Sequence, residues 1–459
     1  MTEARPIALT APALERLAAF VANAPLEPDT ATLRTLRNGV VDCLGCILVG
    51  SGTSVAQNAQ AGVKALGSGG RWPVYGTDLR VGRPQAALLN AVAGHALDFD
   101  DWEAPGNTHP TVVILPALLA AAEDTTSGTD LIAPYLAGFE VIVRLGEAMN
   151  FEHYDGGWHT TATLGGLGAT AAVARLLQLD AAKAAHALSL AASRAAGYTC
   201  QFGSNAKPLQ AGFAAQAGVE CAFLAQAGVT GQAHVLDHPK GMAALTRGAD
   251  PARMEAALER LGKPLALAEH GLILKPWPSC GYTHRIMTCA LELAPGLGSP
   301  NQIEQIDLHL PDFHYAILPF DTPSHRSEAL FSLPFVCAMG LARQSLTLAD
   351  VARPTWDDPD IAALIAKTRV HPFRPKRPDQ NYAPEDPDRL EITLTDGLKL
   401  TASCTYPIGA PQHPMTEAQL RAKFTANAGP VSQDWVDALF DWPCAPSILS
   451  LLSAKGDRP

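Results

Sequence analysis

The sequence is poor in charge. Asp, Glu, Lys and Arg make up 17% of its 459 residues, against 47% hydrophobic, so the chain can bury a large core and make extensive subunit contacts. It also lacks a basic surplus. Its 34 basic and 45 acidic residues give a formal charge of −11, which argues against a nucleic-acid partner, because such partners are met by basic patches. An anionic small substrate is still allowed, since local groups can reverse the field inside a cleft. No apolar run is long enough to span a bilayer. The opening MTEARPIALTAPALERLAAF has no leading apolar segment of a secretory signal. The nine cysteines are odd in number and scattered, with no disulfide framework. Cys43 and Cys46 form a lone CxxC inside VVDCLGCILVG with no second pair, so core cysteines on a buried helix outweigh a redox or zinc site. There is no phosphate loop of the GxxxxGKS/T type and no GxSxG nucleophile elbow, and GGLGA at 165–169 is too weak to replace the first. The expectation is a soluble, reduced, cytoplasmic protein.

The richest stretch is HALDFDDWEAPGNTHP, His95 to Pro110. It sets two histidines and the carboxylates Asp98, Asp100, Asp101 and Glu103 between two apolar runs. Carboxylates beside a core are costly unless solvated, paired or used. A solvated loop is the bland reading; acid–base chemistry or a metal is the sharper one. For a metal the set is His95, Asp98, Asp100, Asp101 and His109, but HxxDxDD lacks the spacing of a recognised zinc or two-metal site.

Helical periodicity marks 12–25, 30–50, 84–97, 110–124, 128–149, 160–179, 181–195 and 208–227. Residues 67–83 are irregular, with a short WPVYG strand or turn. Near residue 270 the character changes. IEQIDLHLP alternates like a strand, and LEITLTDGLKLTASCTYP reads as a hairpin around Asp396-Gly397. Helices are expected at 284–294, 324–343 and 358–368, and a Pro-rich surface loop at 371–389. The expected fold is mainly α: a large all-helical domain over 1–270 and 408–459, with a smaller α+β lid domain inserted at 271–407.

Four motifs place a His or Lys just before a helix start or a proline: THP at 108–110, GWHTT at 157–161, AKP at 206–208 and KPWPS at 275–279. Proline favours the first helical position and Thr caps well. His109, His159 and Lys207 therefore stand at three helix N-termini, which suit a carboxylate or phosphate. With Lys275 they make a polyanion pocket if they converge; ordinary capping at unrelated places is the alternative.

These motifs resemble, in order and nearly end to end, those of the MmgE/PrpD family. They are HALDFDD…THP at 95–110, GWHTTATLGGLGA at 157–169, FGSNAKPLQAGFAAQAGV at 202–219, KPWPSCGYTH at 275–284, FSLPF at 331–335 and PIGAPQHPMTEAQLRAKF at 407–424. The resemblance implies a homodimer of two-domain subunits with the active site between domains. It implies a site for di- or tricarboxylates without cofactor or metal. It places the family's aspartate on Asp98, its histidines on His109 and His159, its lysines on Lys207 and Lys275, and a lid tyrosine on Tyr315. Cys280 and His284 fall in the lid motif. Three positions depart. Trp102 stands where a decarboxylase-like pattern has Thr, with one extra loop residue. Cys280 stands where that pattern has His. Gln210 stands where His is common.

The resulting expectation is a cofactor-independent lyase. It would dehydrate a methylcitrate-like 2-hydroxy acid by removing a proton alpha to a carboxylate. His109 and His159 would transfer protons, Asp98 would orient one of them or act as a second base, and Lys207 and Lys275 would bind carboxylates. Tyr315, Trp102, Cys280 and His284 complete the expected substrate contacts. Epimerisation of an imino- or amino-dicarboxylate, cis-aconitate-type decarboxylation and a non-catalytic ligand-binding role stay open.

Overall fold

The structure, a computed structural model, describes residues 11–248 and 250–453. The N-terminal ten residues, on which the signal-peptide reading partly falls, lie outside the described residues. The fold is mainly α and divides into two bodies. One comprises the described residues up to 96, 100–272 and those from 416 onward; the other comprises 97–99 and 273–415.

The first body is built from α1 (Ala13–Asn23), α2 (Thr30–Gly50), α3 (Ser54–Ala65), α4 (Arg83–His95), α5 (Pro110–Ala121), α6 (Ile132–Met149), the short α7 (Glu152–Asp155), α8 (Thr160–Leu176), α9 (Ala181–Ala192) and α10 (Ala206–Gln226). A two-residue antiparallel pair, β1 (Trp72–Pro73) with β2 (Arg80–Val81), precedes α4. Starts follow the expected chemistry: Asp29 caps α2 by accepting from Thr32 N, and Pro110 opens α5. Cys43 and Cys46 are buried in α2, and burial pushes both thiols well up, so neither is a reactive thiolate. No single helix among the described residues is long and apolar enough to cross a membrane.

α8 is the axis of this body. Every residue from Thr160 to Ala174 is buried, and α5, α6 and α10 pack around it. Small residues set the spacing. A Cβ on Gly168 would lie 2.3 Å from Ile142 Cγ1, and one on Gly218 would lie 2.6 Å from Ala169 Cβ and 2.8 Å from Ala169 carbonyl carbon. After residue 416 the chain returns through the helix Glu417–Ala428, whose buried Lys423 meets buried Asp42 of α2 at 2.6 Å.

The second body holds a four-stranded sheet ordered β4-β3-β5-β6: β3 (Ile303–Pro311), β4 (Thr368–Phe373), β5 (Asp388–Leu394) and β6 (Lys399–Cys404). β3 and β5 pair antiparallel, Leu308 opposite Leu390, and β5 and β6 form the expected hairpin with Gly397 at φ 87°. Helix His284–Leu293 packs on β5 and β6. Two expectations are corrected. The span 324–343 is two helices, Arg326–Ala329 and Leu333–Arg343, because Ser332 caps a new start with Pro334 in its first turn. The loop at 371–389 is flanked by strand at both ends. β4 takes its first three residues, pairs parallel to β3, and carries Pro372 on the sheet edge, where a missing N–H is tolerated.

In an open helix, Gly→Ala gains about 1 kcal/mol. At Gly218 the added methyl meets backbone of α8, so Gly218→Ala should lower stability by about 1–3 kcal/mol. Urea unfolding checks the sign; a stabilised variant would refute the close-packing account.

Candidate active site

α4 ends at His95, and the loop that follows disposes of its carboxylates one by one. Asp98 stands at φ 49° and Asn107 at φ 54°, left-handed positions that Asp and Asn tolerate better than most residues. Glu103 closes the loop. It accepts from Gly106 N at 2.7 Å, Thr108 N at 3.1 Å and Thr108 Oγ1 at 2.5 Å, while its own N–H donates to Thr108 O. Asp101 turns to the first turn of α5. It hydrogen-bonds the Thr111 hydroxyl and accepts from Thr111 N at 3.3 Å, and Tyr135 OH lies 2.5 Å from that hydroxyl. Burial holds Asp101 well above the usual carboxylate range, with the Thr111 hydroxyl opposing.

Asp100 goes the other way. His95 Nδ1 lies 3.0 and 2.9 Å from its two oxygens, and His109 Nδ1 lies 3.1 Å from Oδ2. Burial alone would raise this carboxyl, but the two imidazoles hold it well below the usual range. Asp100 is therefore ionised; His95 donates Nδ1–H to it, and His109 Nδ1 stands at ion-pair distance from Oδ2.

The starts of α5 and α8 are stitched together. His109 N donates to Thr161 Oγ1 at 3.0 Å, and Thr160 Oγ1 donates to Asn107 O at 2.6 Å. His109 and His159 each occupy the residue before their helix. His95 neighbours both, 4.5 Å from the His109 ring and 6.2 Å from the His159 ring. α10 joins at the third start: Gln210 Oε1 sits 2.6 Å from His159 Nδ1, and Gln210 Nε2 donates to Tyr198 O at 3.3 Å. The amide oxygen thus accepts Nδ1–H and leaves the lone pair on Nε2 of His159. Phe202 packs edge-on against His159 at 5.0 Å, and Lys207 Nζ lies 5.1 Å from the Phe202 ring centroid. Burial, and then the Lys207 charge, press His159 well below the ordinary imidazole range. Trp102, of the same body, is buried at 4% exposure.

In the second body the structure pairs Lys275 with Asp98. Nζ donates to Asp98 O at 2.8 Å and meets Oδ2 at 3.2 Å. His284 opens its helix, buried and edge-on to Trp277 at 5.2 Å. Cys280 is buried, its N–H donating to Leu330 O. Tyr315 is half-buried and donates its hydroxyl to Asp321 at 3.3 Å; among the described residues it makes no ring contact with His284.

Three contributors escaped the sequence reading as site residues. Asp100 and His95 figured only in the metal set, and Gln210 only as a departure. The spacing His95…Asp100 across a helix end was the available signal. As to a metal, the ligand atoms of His95, Asp100 and His109 lie within 4.8 Å of one another. These groups could hold an ion. A second cluster, Glu147, Glu269 and His270, is neutralised by Arg144 and Arg260.

The helical body gathers imidazoles, a buried carboxylate and a lysine near helix starts, groups of the kind acid–base sites use. Residues 15–255 match the MmgE/PrpD N-terminal domain and residues 277–437 the MmgE/PrpD C-terminal domain. The chain is similar to cis-aconitate decarboxylase of Mus musculus, 30% identical over 427 residues, covering 89% of this chain and 85% of that protein. It is similar also to those of Homo sapiens (29% over 414 residues, 87% and 84%) and Aspergillus terreus strain NIH 2624 / FGSC A1156 (25% over 421 residues, 86% and 84%). The chain belongs to the MmgE/PrpD family and is an enzyme of its lyase type.

His159 and His153 (pulled down to about 4, chiefly by burial) have folded values below the unfolded value of about 6.5. Below about pH 6.5 the unfolded chain takes up protons that the folded protein refuses. Their contribution is full above that pH and is lost as pH falls, by up to about 3 kcal/mol for His153 near pH 4. Unfolding midpoints at pH 7.5 and 5.0 should show this fall; equal midpoints would contradict it.

Proposed function

We propose that this enzyme decarboxylates a cis-aconitate-like unsaturated tricarboxylate, acting as a homodimer without cofactor or metal. The observation that carries this over the other family reactions is the similarity to proteins named cis-aconitate decarboxylases along 84–85% of their length. The chemistry suits the residues. The C–C bond to the carboxylate on the saturated carbon breaks, and carbon dioxide leaves. The electron pair shifts through the double bond onto the carbon alpha to a second carboxylate. One proton closes that carbon, giving a methylidene dicarboxylate. Cations on the remaining carboxylates stabilise the charge in flight; Lys207 serves here, and by family resemblance Lys275. His109 is the proton donor in this reading, because ionised Asp100 orients it.

Dehydration of a 2-hydroxy tricarboxylate is the second reading. Neutral His159, its Nδ1–H bound to Gln210, suits removal of a proton alpha to a carboxylate. Trp102 and Cys280, where a decarboxylase-like pattern has Thr and His, favour this reading. NMR in deuterated water on citrate-like, aconitate-like and aspartate-derived acids separates the reactions. Loss of carbon dioxide supports the first, alkene formation from a hydroxy acid the second, and epimerisation with solvent exchange neither.

Lys207→Ala should lower kcat/KM at least about 100-fold, or roughly 2.7 kcal/mol, with the thermal midpoint kept. Near-normal kinetics would remove Lys207 from the site. Activity should survive chelator treatment, and loss restored by added metal would reverse that part of the reading.

Trp102→Thr should change the ratio of kcat/KM between cis-aconitate and the hydroxy acids, because an indole and a hydroxyl offer a carboxylate different shapes and donors. A uniform drop would leave Trp102 a packing residue.

A further inference from the structure

We infer that His95 is a positioning residue of this site. It holds the Asp100 carboxylate through Nδ1 so that one carboxylate oxygen faces His109. The inference rests on the proposed role of His109 for its kinetic consequence, and on geometry for the rest. His95 is the last residue of α4, which packs against α2, α5 and α10, and it is buried at 2% exposure. Its Nδ1 reaches both Asp100 oxygens, and Oδ2 also lies 3.1 Å from His109 Nδ1. Its Nε2 makes no hydrogen bond among the described residues, so Nδ1 is the anchored atom. A carboxylate turns easily about its last torsion. Only a donor on a rigid support fixes it, and the end of a packed helix is such a support. The logic is that of an outer partner orienting a working imidazole. Two other roles compete: direct substrate contact through Nε2, or plain core filling.

The test uses the geometry of amide side chains, since an Asn amide nitrogen falls near His Nδ1 and a Gln amide nitrogen near Nε2. His95→Asn should keep kcat within about tenfold. His95→Gln and His95→Leu should lower kcat about 100-fold with little change in KM. The reverse order, Gln active and Asn impaired, would assign the role to Nε2 and overturn the inference. Equal kcat in all three would overturn it as well. If the Leu variant does not fold, the Asn–Gln pair still decides. A second readout needs no substrate: in protein labelled with nitrogen-15 histidine, the His109 Nδ1–H resonance should persist in wild type and His95→Asn and vanish in His95→Gln. Its persistence in His95→Gln would sink the inference. If wild type turns over none of the acids, the functional reading fails while this comparison still stands.

Discussion

One fully buried carboxylate, Asp100, governs the arrangement of the helical body's chemistry. Removing a charge from water costs several kcal/mol even after relaxation, and nothing about an isolated aspartate would offset it. Two imidazoles offset it here: His95 donates Nδ1–H to it, and His109 Nδ1 stands 3.1 Å from Oδ2. Those rings come from the end of α4 and the residue before α5, so the ion ties two helix ends together. The dependence is mutual. Without the charge the rings lose their common acceptor, and without the rings the charge is stranded.

Its neighbour shows that position, not residue type, sets the role. Asp101 follows directly, is equally buried, and is driven well above the usual range. Among the described residues it meets no imidazole; its partners are the Thr111 hydroxyl and amide. Glu103 is likewise raised by burial and spends its oxygens on Gly106 and Thr108. Three acidic groups within four residues therefore serve three purposes: an ion that orients rings, a clasp on the first turn of α5, and a brace across the loop. Environments that push titratable neighbours apart are characteristic of acid–base sites.

Much of this was legible in the sequence, for identifiable reasons. THP and GWHTT announced helix starts because Pro and Thr have strong local preferences, and His109 and His159 do precede α5 and α8. The β5–β6 hairpin was readable from Asp396-Gly397 for the same reason. The edge strand β4 was not, since its pairing with β3 is parallel and non-local and its Pro372 suggested loop. Nor could spacing tell which aspartate of DFDD would meet histidine. That depends on the left-handed backbone at Asp98 and on where α4 stops, and both are settled by packing rather than by local preference.

Gln210 gives His159 a partner with a single arrangement. A histidine facing His159 Nδ1 would have had two protonation states and two tautomers to offer. The amide has one arrangement: its Nε2 is committed to Tyr198 O, so its oxygen must face the imidazole. That fixes the His159 tautomer without adding a titrating group. It also leaves the ring's charge to be decided by burial and by Lys207, both of which disfavour imidazolium. The same body thus keeps one imidazole neutral and gives the other an ionised carboxylate to lean on. The two imidazoles therefore stand in different electrostatic settings, His159 against an amide and a lysine, His109 against a carboxylate.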